Sequence, residues 1–503
     1  MATPIPPNRA SFTLAEVAHA THGTITHRVI VDDEVAIGVS SDSRAITPGS
    51  IFVALEGELH DGHAFVPAAI RAGAKIVVVA KKRGVERSGP ASIVEVDDTL
   101  IAWGALARAH LTNWRKTRVD GRVIAVTGSA GKTTTKELTA ALLAHVAPTH
   151  YTAGNLNNRV GVPAVIFGLE QKHRFCVLEM GMSLPGELDA ITDFARPDVS
   201  VVVNVGVAHS EGVGGLEGVM HEKGAVYRAL GPDGIAIVNF DDACVRRAAR
   251  EARVRQVATF GRAGSRPGHL ADVGALPRTP SVPPSSGEPT YRLIERTSHP
   301  PGGSRVVLSS AGRELAVHLP LPGEAAAIDL LAALAAQEAA SRELLTEQAI
   351  DGALAAVRLA GRGTLRSLGG GVLVLDDTYN ANPASMRSAL ATLVEIAGAR
   401  RRVAVLGEMK ELGALAEAEH EALGDVLADS VALAIGCGGL MGLALDRAAA
   451  RGIEVVRCDS TTEAAARALE RVAANDAVLV KGSRSTGTEL VVKQLEARWQ
   501  HGS

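Results

Sequence analysis

Cysteine is scarce in this 503-residue chain: Cys176, Cys244, Cys437 and Cys458, with no C-x-x-C spacing. That excludes a sequence-local zinc cluster and a disulfide-stapled fold, and points to reduced thiols. Aromatic residues make up 3% against 46% hydrophobic residues overall, so the cores are expected to be built from Ala, Val and Leu. Neither sign of charge dominates, with 52 basic and 55 acidic residues. The basic footprint that nucleic-acid binding needs is therefore missing. The longest charge-free apolar run, Val431 to Leu445, is broken by glycines and falls short of the ~20 residues of a membrane-crossing helix. The start, Met1-Ala-Thr-Pro-Ile-Pro-Pro, has no basic region followed by an apolar one, and no secretory signal is expected. These absences leave a soluble, cytoplasmic chain, monomeric by default, with about three domains at ~100–200 residues each.

What is present is alternation. Residues 1–97 hold short apolar runs, Ile51-Phe-Val-Ala-Leu and Ile76-Val-Val-Val, around a helical stretch Ala64 to Ala72, which reads as a small mixed α/β unit. Residues 98–342 repeat strand, glycine turn and helix, with strands expected at Val123-Ile-Ala-Val, Phe175-Cys-Val-Leu, Val199 to Val205 and Ile235-Ala-Ile-Val. Continuous apolar runs of this kind suit parallel strands covered on both faces. Arg262 to Gly303, rich in Pro, Ser and Gly, reads as a surface excursion with a poorly ordered centre. Residues 343–503 form a second alternating series, expected to fold as a Rossmann-like, doubly wound domain. Its strands are expected at Val372-Leu-Val-Leu, Arg402-Val-Ala-Val-Leu, Ala432-Leu-Ala-Ile, Ile453-Glu-Val-Val and Ala477-Val-Leu-Val.

Thr127-Gly128-Ser129-Ala130-Gly131-Lys132-Thr133-Thr134 lies between the predicted strand Val123-Ile-Ala-Val and a predicted helix from Lys132 to Val146. Glycines let several backbone N–H groups point at one anion, and the helix N-terminus adds its dipole. Lys132 offers a mobile positive charge for outer phosphates, and the Thr133 hydroxyl can ligate Mg²⁺. The general pattern G-x-x-x-x-G-K-[ST] has glycine where Val126 stands, so the motif alone is of moderate specificity. Glu179 and His209 follow predicted strands, and parallel-strand ends face the same crevice as the phosphate loop. Taken singly, Glu179 reads better as a surface or N-cap carboxylate and His209 as a solvated loop histidine; only their shared position at strand ends shifts that balance. The residues by themselves reach as far as a Mg–ATP enzyme of two or three α/β domains.

Beyond that point the chain resembles the Mur ligases, ATP-dependent amino-acid ligases of cell-wall synthesis. The segment TGSAGKTTTKE (127–137) is similar to their variant loop TGxxGKT, in which Val126 is normal. Also similar are SDSR (41–44), PGSIFVALEGELHDGHAF (48–65), EMGMSLPGEL (179–188), NVGVAHSEGVGGLEGV (204–219), LGEMKELG (406–413) and VKGSRS (480–485). YTAGNLNNRVGVP (151–163) and DDTYNANPASM (376–386) resemble the branch that adds D-alanyl-D-alanine to UDP-N-acetylmuramoyl-tripeptide. The resemblance implies phosphorylation of the tripeptide carboxylate by ATP, then attack by the dipeptide amine on the acyl phosphate. It implies that Lys132 stabilises the moving phosphoryl group and that Thr133 and Glu179 hold a first Mg²⁺. His209 would help hold a second Mg²⁺, and Lys223 would be carbamylated into a further metal ligand. Asn155, Asn157 and Asn158 would orient the carboxylate, and Asp42, Ser43 and Arg44 would take the nucleotide-sugar. Arg362, Asp377, Tyr379, Asn380 and Asn382 would meet the nucleotide and dipeptide, joined by Lys481, Ser483 and Arg484.

The chain departs from the family after Leu321-Pro-Gly. Where the family carries His-Asn and then Asn, contacting adenine, this chain has Ala325, Ala326 and Asp329. Alanine offers no hydrogen bond, and an ionised Asp329 accepts without donating. Weaker or less base-selective nucleotide binding is expected. Two other readings stand beside the leading one: a sister ligase adding a single amino acid, and a degenerate member that binds nucleotide-sugar without catalysis.

Overall fold

The computed structural model describes residues 5–31, 33–57, 60–81, 83, 89–206, 210–264, 289–299, 303–310 and 312–499. Besides a two-stranded antiparallel pair, Ser11–Thr13 with Val35–Ile37, three larger sheets follow one another along the chain. The first runs Thr24–His27, Ser92–Val96, Ile76–Ala80, Ile51–Val53, Val39–Ser40, parallel except for Thr24–His27. The second has nine strands, and the third has six. The α/β expectation holds, with parallel pairing in the body of each sheet. The four cysteines are free.

In the second sheet Arg122–Thr127 sits between Phe175–Glu179 and Val199–Val202, parallel to both. Thr149–Tyr151 lies beyond Phe175–Glu179, while Ile235–Asn239 and Gln256–Arg262 extend the other side. The chain thus leaves Arg122–Thr127 in both directions, and the crevice at such a reversal is where open α/β sheets bind ligands. Alternate residues of this strand enter two cores: Val123 and Ala125 on one face, Ile124 and Val126 on the other. Both faces are covered, which is why the strand reads as an unbroken apolar run.

The sheet continues into an antiparallel meander, Tyr291–Ser298, Ser304–Ser310 and Arg313–Leu319. This corrects the expectation of a surface excursion from Arg262 to Gly303. Tyr291 and Leu293 are buried while Arg292 and Ile294 are not, the period of a strand with one covered face. Pro- and Ser-rich neighbours hide that short alternation. The centre of the supposed excursion, residues 265–288, lies outside the described residues.

Helix Glu324–Ser341 follows the meander. It is buried along most of its length, because Ala332, Ala333, Ala335 and Ala336 let it press close to the sheet and to helix Lys132–Val146. Leu345, Ile350 and Leu354 join the same core. The third sheet runs Thr364–Ser367, Leu373–Asp377, Ala477–Lys481, Arg402–Gly407, Leu433–Cys437, Glu454–Cys458, with only Thr364–Ser367 antiparallel.

The second and third sheets meet at helix Pro383–Ala397. Arg296 makes a two-pronged ion pair with Glu395 on that helix. Nearby, Gly323 caps helix Glu324–Ser341 at φ 85, ψ 153, a region open essentially to glycine. A Cβ there would stand 2.4 Å from the Thr392 hydroxyl. Gly323→Ala is therefore expected to lower stability by about 1–3 kcal/mol, read by urea unfolding. An unchanged midpoint would show that this junction tolerates a side chain and is not tightly packed.

Candidate active site

The C-terminal ends of Arg122–Thr127 and Phe175–Glu179 open onto a cavity of about 550 Å³. Its walls come from the second and third sheets together. Ser129 to Thr134, Asn155, Asn157, Asn158, Glu179 and Lys223 line it from the second. Arg362, Asp377, Tyr379, Asn380, Asn382, Lys481 and Arg484 line it from the third. Thus most residues singled out in the sequence share one space. Thr127 and Gly128 lie behind its wall; the Gly128 carbonyl accepts from Lys132 Nζ at 2.8 Å.

Gly131 caps helix Lys132–Val146 in the left-handed conformation, φ 77. The loop is held open by a residue the sequence did not single out, Asn204. Its Oδ1 accepts from Ala130 N at 2.8 Å, and its Nδ2 donates to Ala130 O at 3.1 Å. Ser129 Oγ donates to Gly206 O at 3.0 Å and accepts from Gly206 N at 2.8 Å. The signal was an asparagine just past an apolar strand, too common to stand out.

Glu179 ends its strand only 2% exposed. Thr133 Oγ1 donates to its Oε2 at 2.7 Å, and Asn157 Nδ2 donates to its Oε1 at 2.8 Å. One buried carboxylate thereby joins the phosphate loop to the asparagine loop. Asn157 also accepts at its carbonyl from Gly181 N, 2.7 Å. Lys132 is held below the usual lysine range by burial, with Glu179 opposing and Arg362 reinforcing. Lys223 is 1% exposed and lies well below that range, through burial first and the Lys132 charge second, against Glu222. Burial of that kind disfavours the charged form of the amine.

From the third sheet, Lys481 Nζ donates to Asp377 Oδ2 at 2.5 Å and to Asn380 O at 2.9 Å. Asp377 Oδ1 accepts from Gly363 N, 3.1 Å, next to Arg362. The Tyr379 ring carries the Arg362 guanidinium at 3.7 Å and that of Arg484 at 5.5 Å. Asn382 caps helix Pro383–Ala397 and reaches across to Ser129 O at 3.3 Å. Ser483 Oγ accepts from Lys410 N at 2.9 Å, outside the cavity wall. Asp42, Ser43 and Arg44 are not on that wall either. They form a short turn in which Arg44 clasps Asp42 at 2.7 and 2.9 Å. His209 lies outside the described residues. Among the described residues no group of three or more His, Cys, Asp or Glu is gathered for a metal.

Ala325, Ala326 and Asp329 face the cavity along one stripe of helix Glu324–Ser341. The Asp329 carboxyl packs behind the phosphate loop: a Cβ on Gly131 would be 2.5 Å from its Oδ1. Burial pushes its acid well above the usual carboxylate range, opposed by the Thr135 hydroxyl and the Arg362 charge. Burial thus favours the protonated form of Asp329, which carries an O–H donor as well as a C=O acceptor.

The comparisons with known proteins agree along the whole chain. The model of the Mur ligase family catalytic domain matches residues 37–147, the Mur ligase middle domain 126–337, and the Mur ligase glutamate ligase domain 361–484. The UDP-N-acetylmuramoyl-tripeptide–D-alanyl-D-alanine ligase of Escherichia coli is 34% identical, covering 97% of this chain and 98% of its own. A crystal structure of MurF from Acinetobacter baumannii superposes with a TM-score of 0.80 at 28% identity, covering 98% of this chain and all of its own. The MurF ligase of Thermotoga maritima in complex with ADP gives 0.76 at 27% identity, covering 91% and 97%.

The state of Asp329 has a measurable consequence. Its folded-state acid is weaker than in the unfolded chain, so the unfolded state sheds its proton first as pH rises. Stability is lost above the ordinary carboxylate range, by about 1.4 kcal/mol per pH unit, until the folded form ionises too. Asp329→Asn is therefore expected to be more stable than the parent, and by more at pH 7.5 than at pH 5, in nucleotide-free unfolding. An advantage that is absent, or that shrinks with pH, would mean Asp329 is ionised.

Proposed function

Because the chain belongs to the Mur ligase family, we infer that it joins D-alanyl-D-alanine to UDP-N-acetylmuramoyl-tripeptide, converting ATP to ADP and phosphate. One observation carries this reading. The phosphate loop, the asparagine loop and the Asp377–Asn382 cluster line a single cavity, so phosphoryl donor, carboxylate acceptor and attacking amine have one meeting place.

The chemistry follows from that arrangement. A carboxylate oxygen of the tripeptide attacks the γ-phosphorus of ATP, and the bond to the ADP oxygen breaks. The dipeptide amine then attacks the carbonyl carbon of the acyl phosphate and loses a proton. The tetrahedral intermediate expels phosphate and leaves the amide. Lys132 and the backbone of Ser129 to Thr134 neutralise charge on the moving phosphoryl group. Asn155, Asn157 and Asn158 orient the carboxylate. Arg362 and Asp377 meet the nucleotide, while Tyr379, Asn380 and Asn382 line the approach of the dipeptide. Asp42, Ser43 and Arg44, on the first sheet, take the nucleotide-sugar end of the substrate.

The residues fit magnesium. The Thr133 hydroxyl and Glu179 carboxylate are hard oxygen donors meeting beside the phosphate loop. Lys223, once carbamylated, gains carboxylate-like oxygens and with His209 provides for a second ion. Bound magnesium supplies charge neutralisation for phosphoryl transfer. The substrates are soluble precursors and, among the described residues, no helix is long and apolar enough to cross a membrane. We place the enzyme in the cytoplasm, acting as a monomer.

With its γ-phosphate placed beside Glu179 and Lys223, ATP would run its nucleoside the other way, along Leu321, Pro322, Ala325 and Ala326 of the cavity wall. That wall has little to hydrogen-bond a base, so rejection of GTP rests on shape. Phosphate release is expected to need both muramoyl tripeptide and D-alanyl-D-alanine, with kcat/KM for ATP and GTP within about a hundredfold. Turnover with a single amino acid in place of the dipeptide would move the chain to a sister activity. Much stronger discrimination against GTP would show that another segment reads the base.

A further inference from the structure

Lys136 stands one turn into helix Lys132–Val146, and its side chain has no solvent exposure. None of the chemistry above uses it. Taking an ammonium out of water is costly, and an apolar side chain of the same length fills the same volume without that cost. Packing alone therefore does not account for a lysine.

Its contacts do. Lys136 Nζ donates to the Thr152 carbonyl at 2.8 Å and to Glu137 Oε1 at 2.5 Å, and lies 5.4 Å from the centre of the Tyr151 ring. Thr152 is itself wholly buried. Its N–H donates to Val177 O at 3.0 Å, and its hydroxyl accepts from Glu179 N at 2.9 Å. Thr152 is thus pinned by the phosphate-loop helix through Lys136 and by the Glu179 strand through its hydroxyl. Three residues later the chain turns through Asn155–Asn158, whose Asn157 returns to the Glu179 carboxylate.

We infer that Lys136 is a positioning residue: its ammonium fixes the loop Thr152–Asn158 against the helix that carries the phosphate loop, so that the acceptor carboxylate is held in register with the phosphoryl donor. Lys136 is not on the cavity wall. The inference rests on the site assignment above and adds to it a mechanical link between two substrate loops. A charge-assisted hydrogen bond to a backbone carbonyl is suited to that task, because it fixes main chain rather than a mobile side chain.

The test compares full-length Lys136→Met and Lys136→Arg with the parent in steady-state turnover, alongside ADP affinity by calorimetry and a melting curve. Lys136→Met is expected to lower kcat by about a hundredfold, as a misplacement near 1 Å can do, while ADP affinity stays within about twofold. Lys136→Arg, which keeps a buried donor, is expected to recover about tenfold of the loss. A folded Lys136→Met with parental kcat overturns the inference, as does loss of ADP affinity in proportion to kcat. Should Lys136→Met not fold, Thr152→Val removes the other pin. It is expected to lower kcat about tenfold with ADP affinity kept, and parental kcat there overturns the inference equally. Absence of turnover in the parent would instead refute the assigned reaction.

Discussion

Glu179 is the point on which the site depends. It is 2% exposed, and its two oxygens are satisfied by donors from different loops, Thr133 and Asn157. Neither loop reaches it by chance. Arg122–Thr127 and Phe175–Glu179 are adjacent parallel strands, and Glu179 is paired with Val126, just before the phosphate loop. The register of two strands therefore decides where phosphate and carboxylate meet. A slip by one residue would turn Glu179 into the core beneath the sheet.

Part of the cavity wall belongs to the third sheet's unit. Its residues arrive through a contact that is small and polar at the loop, Asn382 to Ser129, and stronger at the periphery, Arg296 to Glu395. Charged groups at the centre face the cavity and are satisfied largely within their own unit, as Lys481 is by Asp377 and Asn380. An arrangement in which each half is internally complete can part to admit substrates and rejoin without leaving buried groups unpaired. It also explains why acyl-phosphate chemistry, which water would destroy, is placed between units rather than on an open sheet edge.

Much of this was legible in the chain itself. The phosphate loop and the parallel strands each carry a local pattern with a physical reason, whereas the cluster at Asp377–Asn382 was named only through the family resemblance. What escaped lacked such a pattern. The meander Tyr291–Leu319 is a two-residue period interrupted by Pro- and Ser-rich sequence, so its alternation was lost in composition. Asn204 and Lys136 act by holding backbone atoms 74 and 16 residues away in the chain, and no spacing rule announces that. The raised acid of Asp329 comes from burial behind Gly131, which the residue type does not announce. Asp42 and Arg44 lie on a short turn apart from the cavity.

The central claim is that the tripeptide carboxylate itself takes the phosphoryl group from ATP beside Lys132 and Glu179. Oxygen-18 in that carboxylate tests it directly. If the carboxylate attacks the γ-phosphorus, one labelled oxygen leaves with each phosphate when the dipeptide amine displaces it, and mass spectrometry of the released phosphate will show a single oxygen-18. Unlabelled phosphate accompanying amide formation would mean that ATP is cleaved by water or by an enzyme group, and the account of the shared cavity would fail.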